Sequence, residues 1–134
     1  MKLNNILKGI EYLGEADERY ISGIFYDSRK IRKNSLFIAI KGFNVDGHKY
    51  IEEAIQLGAN AIIVEKDINN RYSIPLLKVK NSRKAMSRIA SNFFGDCSKN
   101  IKITGITGTN GKTSVTYLIN HILKFNKYLT SSLG

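Results

Sequence analysis

The stretch that most narrows what this chain can fold into is Ile101-Lys102-Ile103-Thr104-Gly105-Ile106-Thr107-Gly108-Thr109-Asn110-Gly111-Lys112-Thr113-Ser114. It begins with the β-branched alternation of a short buried strand, and three glycines then interrupt it. Lys112-Thr113 opens a run in which Val115, Leu118, Ile119, Ile122 and Leu123 recur at helical spacing. Strand, glycine loop and helix in that order predict a phosphate cradle. Glycines let successive N–H groups turn inward, and the helix N-terminus adds partial positive charge. Lys112 then reaches β- and γ-phosphates, and the Thr113 hydroxyl can ligate Mg²⁺. The strict pattern G-x-x-x-x-G-K-[ST] fails by one residue: Ile106 stands where the first glycine belongs, with Gly105 before it and Gly108 inside the loop. The plain alternative is a glycine-rich turn before a helix. The strand and helix patterns on its two sides favour the cradle.

With 134 residues, the chain has room for one domain, or one small domain and part of another. No apolar run is long enough to span a membrane, and Met1-Lys2-Leu3-Asn4-Asn5-Ile6 is too polar for a secretory signal. The lone Cys97 has no partner for an internal disulfide and no metal-ligand spacing, which reads as a plain thiol in a reducing, cytoplasmic compartment. The net charge of +10 favours anionic partners such as nucleotides, phosphosugars or nucleic acid. Its basic residues are scattered and no aromatic-basic stripe interleaves them, so nucleic-acid binding is a minor alternative.

Taken in order, residues 3–9 predict a short helix stopped by Gly9, and Tyr20 to Tyr26 a strand. Asp27-Ser28-Arg29 then reads as an Asx-type turn with a solvated arginine. Leu36-Phe37-Ile38-Ala39-Ile40 has the length and continuity of a strand buried on both faces. Gly42 and Asp46-Gly47 are turn signals, with Asp46 a cap for a helix over about 49–57. Turn and cap also account for His48, which is given no catalytic role. Ala61-Ile62-Ile63-Val64 is a second buried strand, 67–73 a polar loop, and Pro75 to Val79 a further strand. A helix from about Arg83 to Phe94 follows, capped by Asn81 or Ser82 and ended by Gly95. Gly95 to Asn100 is a polar linker that divides the chain into domains 1–97 and 98–134. Tyr128-Leu129-Thr130 begins one more strand, and His121 falls on the polar side of its helix. The expected fold class is α/β: a small mixed α/β substrate-binding domain, then the first strand, loop and helix of a truncated phosphate-loop ATPase domain. A lone strand and helix cannot cover their own apolar sides, and no acidic strand end follows to complete a magnesium site. This reads as the N-terminal fragment of a longer protein.

Three stretches together resemble the Mur ligase family, the ATP-dependent enzymes that build the peptide of bacterial peptidoglycan. They are Tyr26-Asp27-Ser28-Arg29-Lys30 with Leu36 to Gly42; Asp46-Gly47-His48-Lys49-Tyr50-Ile51 through Gly58 to Glu65; and Gly105 to Thr113. Within the family the loop and the upstream Tyr-Asp-Ser-Arg are most similar to the E-type branch, which adds a diamino acid to UDP-MurNAc-dipeptide. The F-type branch, which adds D-Ala-D-Ala, is the nearest alternative. Folylpolyglutamate synthases share the Thr-Asn-Gly-Lys loop without this N-terminal domain.

The resemblance implies three domains, for the UDP-sugar, for ATP and for the incoming amino acid, with this chain holding the first and the opening of the second. It implies that Tyr26 and Ser28 contact the UDP-linked substrate and that Phe43, Asn44 and Val45 form a second contact stretch. Gly108, Thr109, Asn110, Gly111, Lys112, Thr113 and Ser114 would form the ATP loop, with Lys112 catalytic and Thr113 on Mg²⁺. Ser114 departs from the commoner Thr and keeps the hydroxyl. The implied reaction activates a substrate carboxylate as an acyl phosphate, which an amine then attacks; the fragment alone is expected to be inactive. Arg29 or Lys30 is a candidate for the diphosphate. A stand-alone nucleotide-sugar-binding module, with the glycine loop idle, is the reading from a different class. Oligomeric state stays open, with exposed strand edges able to pair with another copy.

Overall fold

A parallel sheet has to be covered on both faces, and the apolar runs of this chain are arranged to allow that. The computed structural model describes residues 1–43, 45–68 and 72–132, apart from the side chains of Cys97 and Ser98. Asn44, and Asn69 to Arg71 of the predicted polar loop, lie outside the described residues. Backbone contacts divide the chain into two units, Met1–Asn100 and Ile101–Gly134.

The first unit runs α1 (Leu3–Ile6), β1 (Gly23–Phe25), β2 (Ser35–Ile38), α2 (Ile51–Gln56), β3 (Ala59–Val64), β4 (Leu76–Lys78) and α3 (Ser82–Phe94). The strands form one parallel sheet in the order β1-β2-β3-β4. Its register sets Phe25 beside Phe37, Phe37 beside Ile62 and Ile62 beside Leu76. Alternation along each strand then splits the core in two. Leu36, Ile38, Ala61, Ile63 and Leu77 pack with Leu3 and Ile6 of α1 and Ala85 and Ile89 of α3. Phe37, Ala39, Ile62 and Val64 pack with Ile51 and Ala54 of α2 on the other face. The continuous apolar runs predicted as doubly buried strands are indeed buried on both sides.

Helix ends follow the expected chemistry. Asn81 caps α3, its side-chain oxygen accepting from the Lys84 N–H at 2.9 Å, and Gly95 ends that helix with φ 77°. Replacing Asn81 with alanine is expected to lower stability by about 1 kcal/mol, read as an earlier urea midpoint with an unchanged slope. The predicted helix over 49–57 begins as a 3-10 turn, Gly47–Tyr50, with Asp46 accepting from the His48 N–H, and becomes α-helical only from Ile51. The helix expected over 3–9 closes earlier, at Ile6.

The second unit contains α4 (Lys112–Phe125), as the apolar spacing predicts. Residues 101–107 form no ladder, and neither do Tyr128 to Thr130. A strand exists only through its neighbours, and among the described residues this unit offers none. Ile101, Ile103, Leu118 and Ile122 are exposed accordingly.

Candidate functional site

In open parallel α/β sheets, ligands sit outside the carboxyl ends of the strands, where the chain turns toward its helices. The first unit has a cleft of about 840 Å³ there. Tyr26 and Ser28 enter it just after β1, Val45 and Gly47 from the turn after β2, Tyr50 and Glu53 from α2 and the turn before it, and Arg83 from the first turn of α3. Tyr26, Ser28 and Val45, expected on resemblance to contact substrate, therefore line one cavity. Phe43 is fully exposed at the tip of the turn and does not line it. Asn44 lies outside the described residues.

Local structure explains the placement of Ser28. Asp27 accepts from the Arg29 N–H at 3.1 Å, which starts the 3-10 turn Ser28–Lys30 and points Ser28 inward. Ser28 is 7% exposed, and its hydroxyl donates to Glu53 Oε2 at 3.2 Å. A hydroxyl that donates to a carboxylate still presents its oxygen as an acceptor. Arg29 turns back on Asp27, with Nε at 2.9 Å and Nη2 at 2.8 Å from the carboxylate oxygens. This pairing holds the Asp27 carboxyl below its usual range and raises Arg29 further. The guanidinium is otherwise solvated, so the Asx-type turn describes Arg29 and its charge is already matched. Among the described residues the other cation in the cleft wall is Arg83, whose Nη2 lies 3.5 Å from Lys41 O.

Sequence reasoning missed Glu53, Tyr50, Arg83 and Met86. Glu53 and Tyr50 fall inside a stretch that carries the family resemblance, which was the one available signal. Arg83 and Met86 come from a helix more than 50 residues beyond Ser28, and only the packing of α3 brings them to the cleft.

In the second unit, Gly108 and Gly111 have φ of 152° and 77°, the range that favours glycine, and Gly111 stands at the N-terminus of α4. Lys112 Nζ lies across the loop, donating to Gly108 O at 2.6 Å and Thr109 O at 3.4 Å. No carboxylate pairs with it among the described residues. A Cβ built on Gly111 would meet nothing within 4 Å, so the space beside the loop is open. Thr109, Asn110, Thr113 and Ser114 are exposed around the same helix start. An ammonium held over glycine-rich backbone at the head of a 14-residue helix fits a polyphosphate. No group of three or more His, Cys, Asp or Glu among the described residues is placed to hold a metal ion, so a cation here would rely on the Thr113 hydroxyl and the phosphates themselves.

A layered α/β unit with a cleft at its strand ends, followed by a glycine loop that opens a helix, defines a mixed α/β protein of the phosphate-loop type. The comparisons with known proteins narrow that class. Residues 20–94 match the family model described as Mur ligase family, catalytic domain, and residues 106–134 the one described as Mur ligase middle domain. The chain belongs to the Mur ligase family. Over its whole length it is 46% identical to the UDP-N-acetylmuramoyl-L-alanyl-D-glutamate--2,6-diaminopimelate ligase of Clostridioides difficile and 44% identical to the enzyme of that name from Listeria monocytogenes. It spans 28% and 27% of the length of those two relatives. Among solved structures it is similar to MurF of Acinetobacter baumannii, with a TM-score of 0.71 and 23% identity over 92% of this chain and 27% of that one. It is also similar to the Thermotoga maritima MurF ligase solved in complex with ADP, with a TM-score of 0.56 and 32% identity over 76% of this chain and 23% of that one. Among the described residues no helix is long and apolar enough to cross a membrane.

Proposed function

We propose that this chain supplies the UDP-sugar recognition unit and the ATP phosphate loop of an E-type Mur ligase, which adds diaminopimelate to UDP-MurNAc-L-Ala-D-Glu. The observation that carries this reading is the 46% identity, over the full length of the chain, to a ligase named for that substrate and that amino acid. Residues 1–97 form the substrate domain and residues 98–134 open the ATP domain.

Each residue has a task in that reading. Ser28, oriented by Glu53, offers an acceptor to an N–H of the bound UDP-substrate, and Tyr26 and Val45 supply apolar contact at the mouth. Phe43, exposed on the turn, reaches the substrate from outside the cavity, and Asn44 belongs to the same contact stretch of the sequence. The N–H groups of Gly108 to Gly111 and the Lys112 ammonium hold the β- and γ-phosphates of ATP, and the Thr113 hydroxyl holds Mg²⁺, with Ser114 beside it. Bound ATP supplies the phosphoryl group that activates the substrate carboxylate. Lys112 lowers the barrier by matching negative charge, and the loop by holding the phosphates in place.

The test is calorimetric titration of the purified chain with UDP-MurNAc-dipeptide, with UDP and ATP-Mg²⁺ run separately. Ser28→Ala is expected to weaken the UDP ligands about tenfold, the effect of one buried hydrogen bond near a carboxylate, and to leave ATP unaffected. If ATP binds and no UDP ligand does, the cleft is not the UDP-sugar site.

A further inference from the structure

We propose that His48 is a positioning residue for the cleft: its buried imidazole clamps the turn that carries residues 42–45 to the end of β3. This rests on the reading of the cleft as the UDP-substrate site. His48 lies in the sequence stretch after that turn and stands outside the cleft's lining, yet its side chain is only 6% exposed and both ring nitrogens are engaged. Nε2 lies 3.0 Å from the Glu65 backbone N–H. A backbone N–H can only donate, so Nε2 accepts and the proton sits on Nδ1, which donates to Asp46 Oδ1 at 2.6 Å. With both nitrogens committed in one tautomer, the ring is fixed in place.

Its partners extend the clamp. The second oxygen of Asp46 accepts from Lys66 Nζ at 2.5 Å, a second tie from the turn to the residues after β3. The Glu65 carboxylate accepts from the Ser82 N–H at 2.6 Å, at the start of α3 and next to the cleft residue Arg83. The turn, the end of β3 and the head of α3 are thus joined through one imidazole and one glutamate. The turn's own bonds fix its shape rather than its tilt: Gly42 N–H donates to Val45 O at 2.8 Å, and Gly47 N–H donates to Ile40 O at 2.9 Å. The approach at Gly47 is close enough that a Cβ there would lie 2.9 Å from Ile40 N and O. His48 decides where this stiff turn, with Val45 on it, stands over the cavity.

The experiment compares the full 134-residue chain with His48→Ala, His48→Asn and His48→Gln. It measures melting temperature, amide exchange and UDP-MurNAc-dipeptide affinity, and the ¹⁵N shifts of the wild-type ring. The shifts should show the Nδ1-protonated tautomer; the opposite tautomer would overturn the clamp. His48→Ala is expected to speed exchange at residues 42–47 by at least tenfold, leave Leu36 to Ile38 unchanged, and weaken the ligand about tenfold. Glutamine, whose carbonyl can accept from the Glu65 N–H, should restore most of that affinity, and asparagine, too short to reach it, should not. If alanine prevents folding, His48→Asn decides: a wild-type melting temperature with weakened binding supports the proposal, and unchanged binding overturns it. Wild-type affinity in a folded His48→Ala also overturns it, and leaves the UDP reading intact. If the wild-type chain binds no UDP ligand, that reading fails instead. Exchange at residues 42–47 then judges the clamp alone, with acceleration confined to the turn supporting it and unchanged exchange overturning it.

Discussion

Replacing Phe37 with alanine is expected to destabilise the first unit by about 3–5 kcal/mol, measured as the loss in unfolding free energy in urea. Phe37 is 1% exposed on β2, a central strand, between Phe25 and Ile62 in the register and against the α2 side of the core. Removing the ring leaves a cavity between the sheet and α2, whose Ile51 and Ala54 share this side of the core. Domains of this size hold about 5–15 kcal/mol in total, and the variant would stand near the edge of folding. Phe37 also floors the cleft, so UDP-ligand affinity should fall with stability. A loss below about 1 kcal/mol would mean that α2 closes onto the sheet and the core is softer than its burial implies.

Asp46→Asn is expected to cost about 1.5–3 kcal/mol at neutral pH, the range for hydrogen bonds to a charged group. The Lys66 ammonium, and after it the His48 N–H groups, hold the Asp46 carboxyl well below the usual carboxylate range in the folded chain. The folded value is thus the lower one. The associated stability is fully present above the unfolded value of about 3.9 and is lost as pH falls through the folded value. Urea midpoints of wild type and variant should therefore lie furthest apart at neutral pH and converge as the solution is acidified below about pH 4. Asp17, Asp27 and Asp96 are also held low by their cationic neighbours, but wild type and variant share them, so their contribution cancels in the difference between the two. A gap that stays constant down to about pH 2 would show that Asp46 matters for its shape as a cap and not for its charge.

The elements that could be read from the sequence are those whose signal is local. Phe37 and Ile62 sit in continuous apolar runs, and such runs are found where a strand is covered on both faces. Asn81 and Gly95 mark the ends of α3 because capping depends on the residue at the end and little else. The glycine loop with Lys112 was legible for the same reason, since its geometry is made within a few residues. The strand expected to begin at Ile101 was not decidable this way: its residues have the right pattern, but a strand is a relation between segments, and this unit supplies no second one among the described residues.

The cleft divides along the same line. The sheet-forming runs, the caps and the glycine loop were written in local sequence, and resemblance singled out Tyr26, Ser28 and Val45, which the fold brings to one cleft. It took the packing of distant segments to set Glu53 against Ser28, bring Arg83 into the same cleft wall, and have His48 join a turn to the end of another strand, while Arg29 pairs with Asp27. Those outcomes depend on which segments lie side by side at the carboxyl edge of the sheet. Strand order and helix packing set that, and the side chains concerned are exposed or polar residues whose own local preferences are satisfied in many folds.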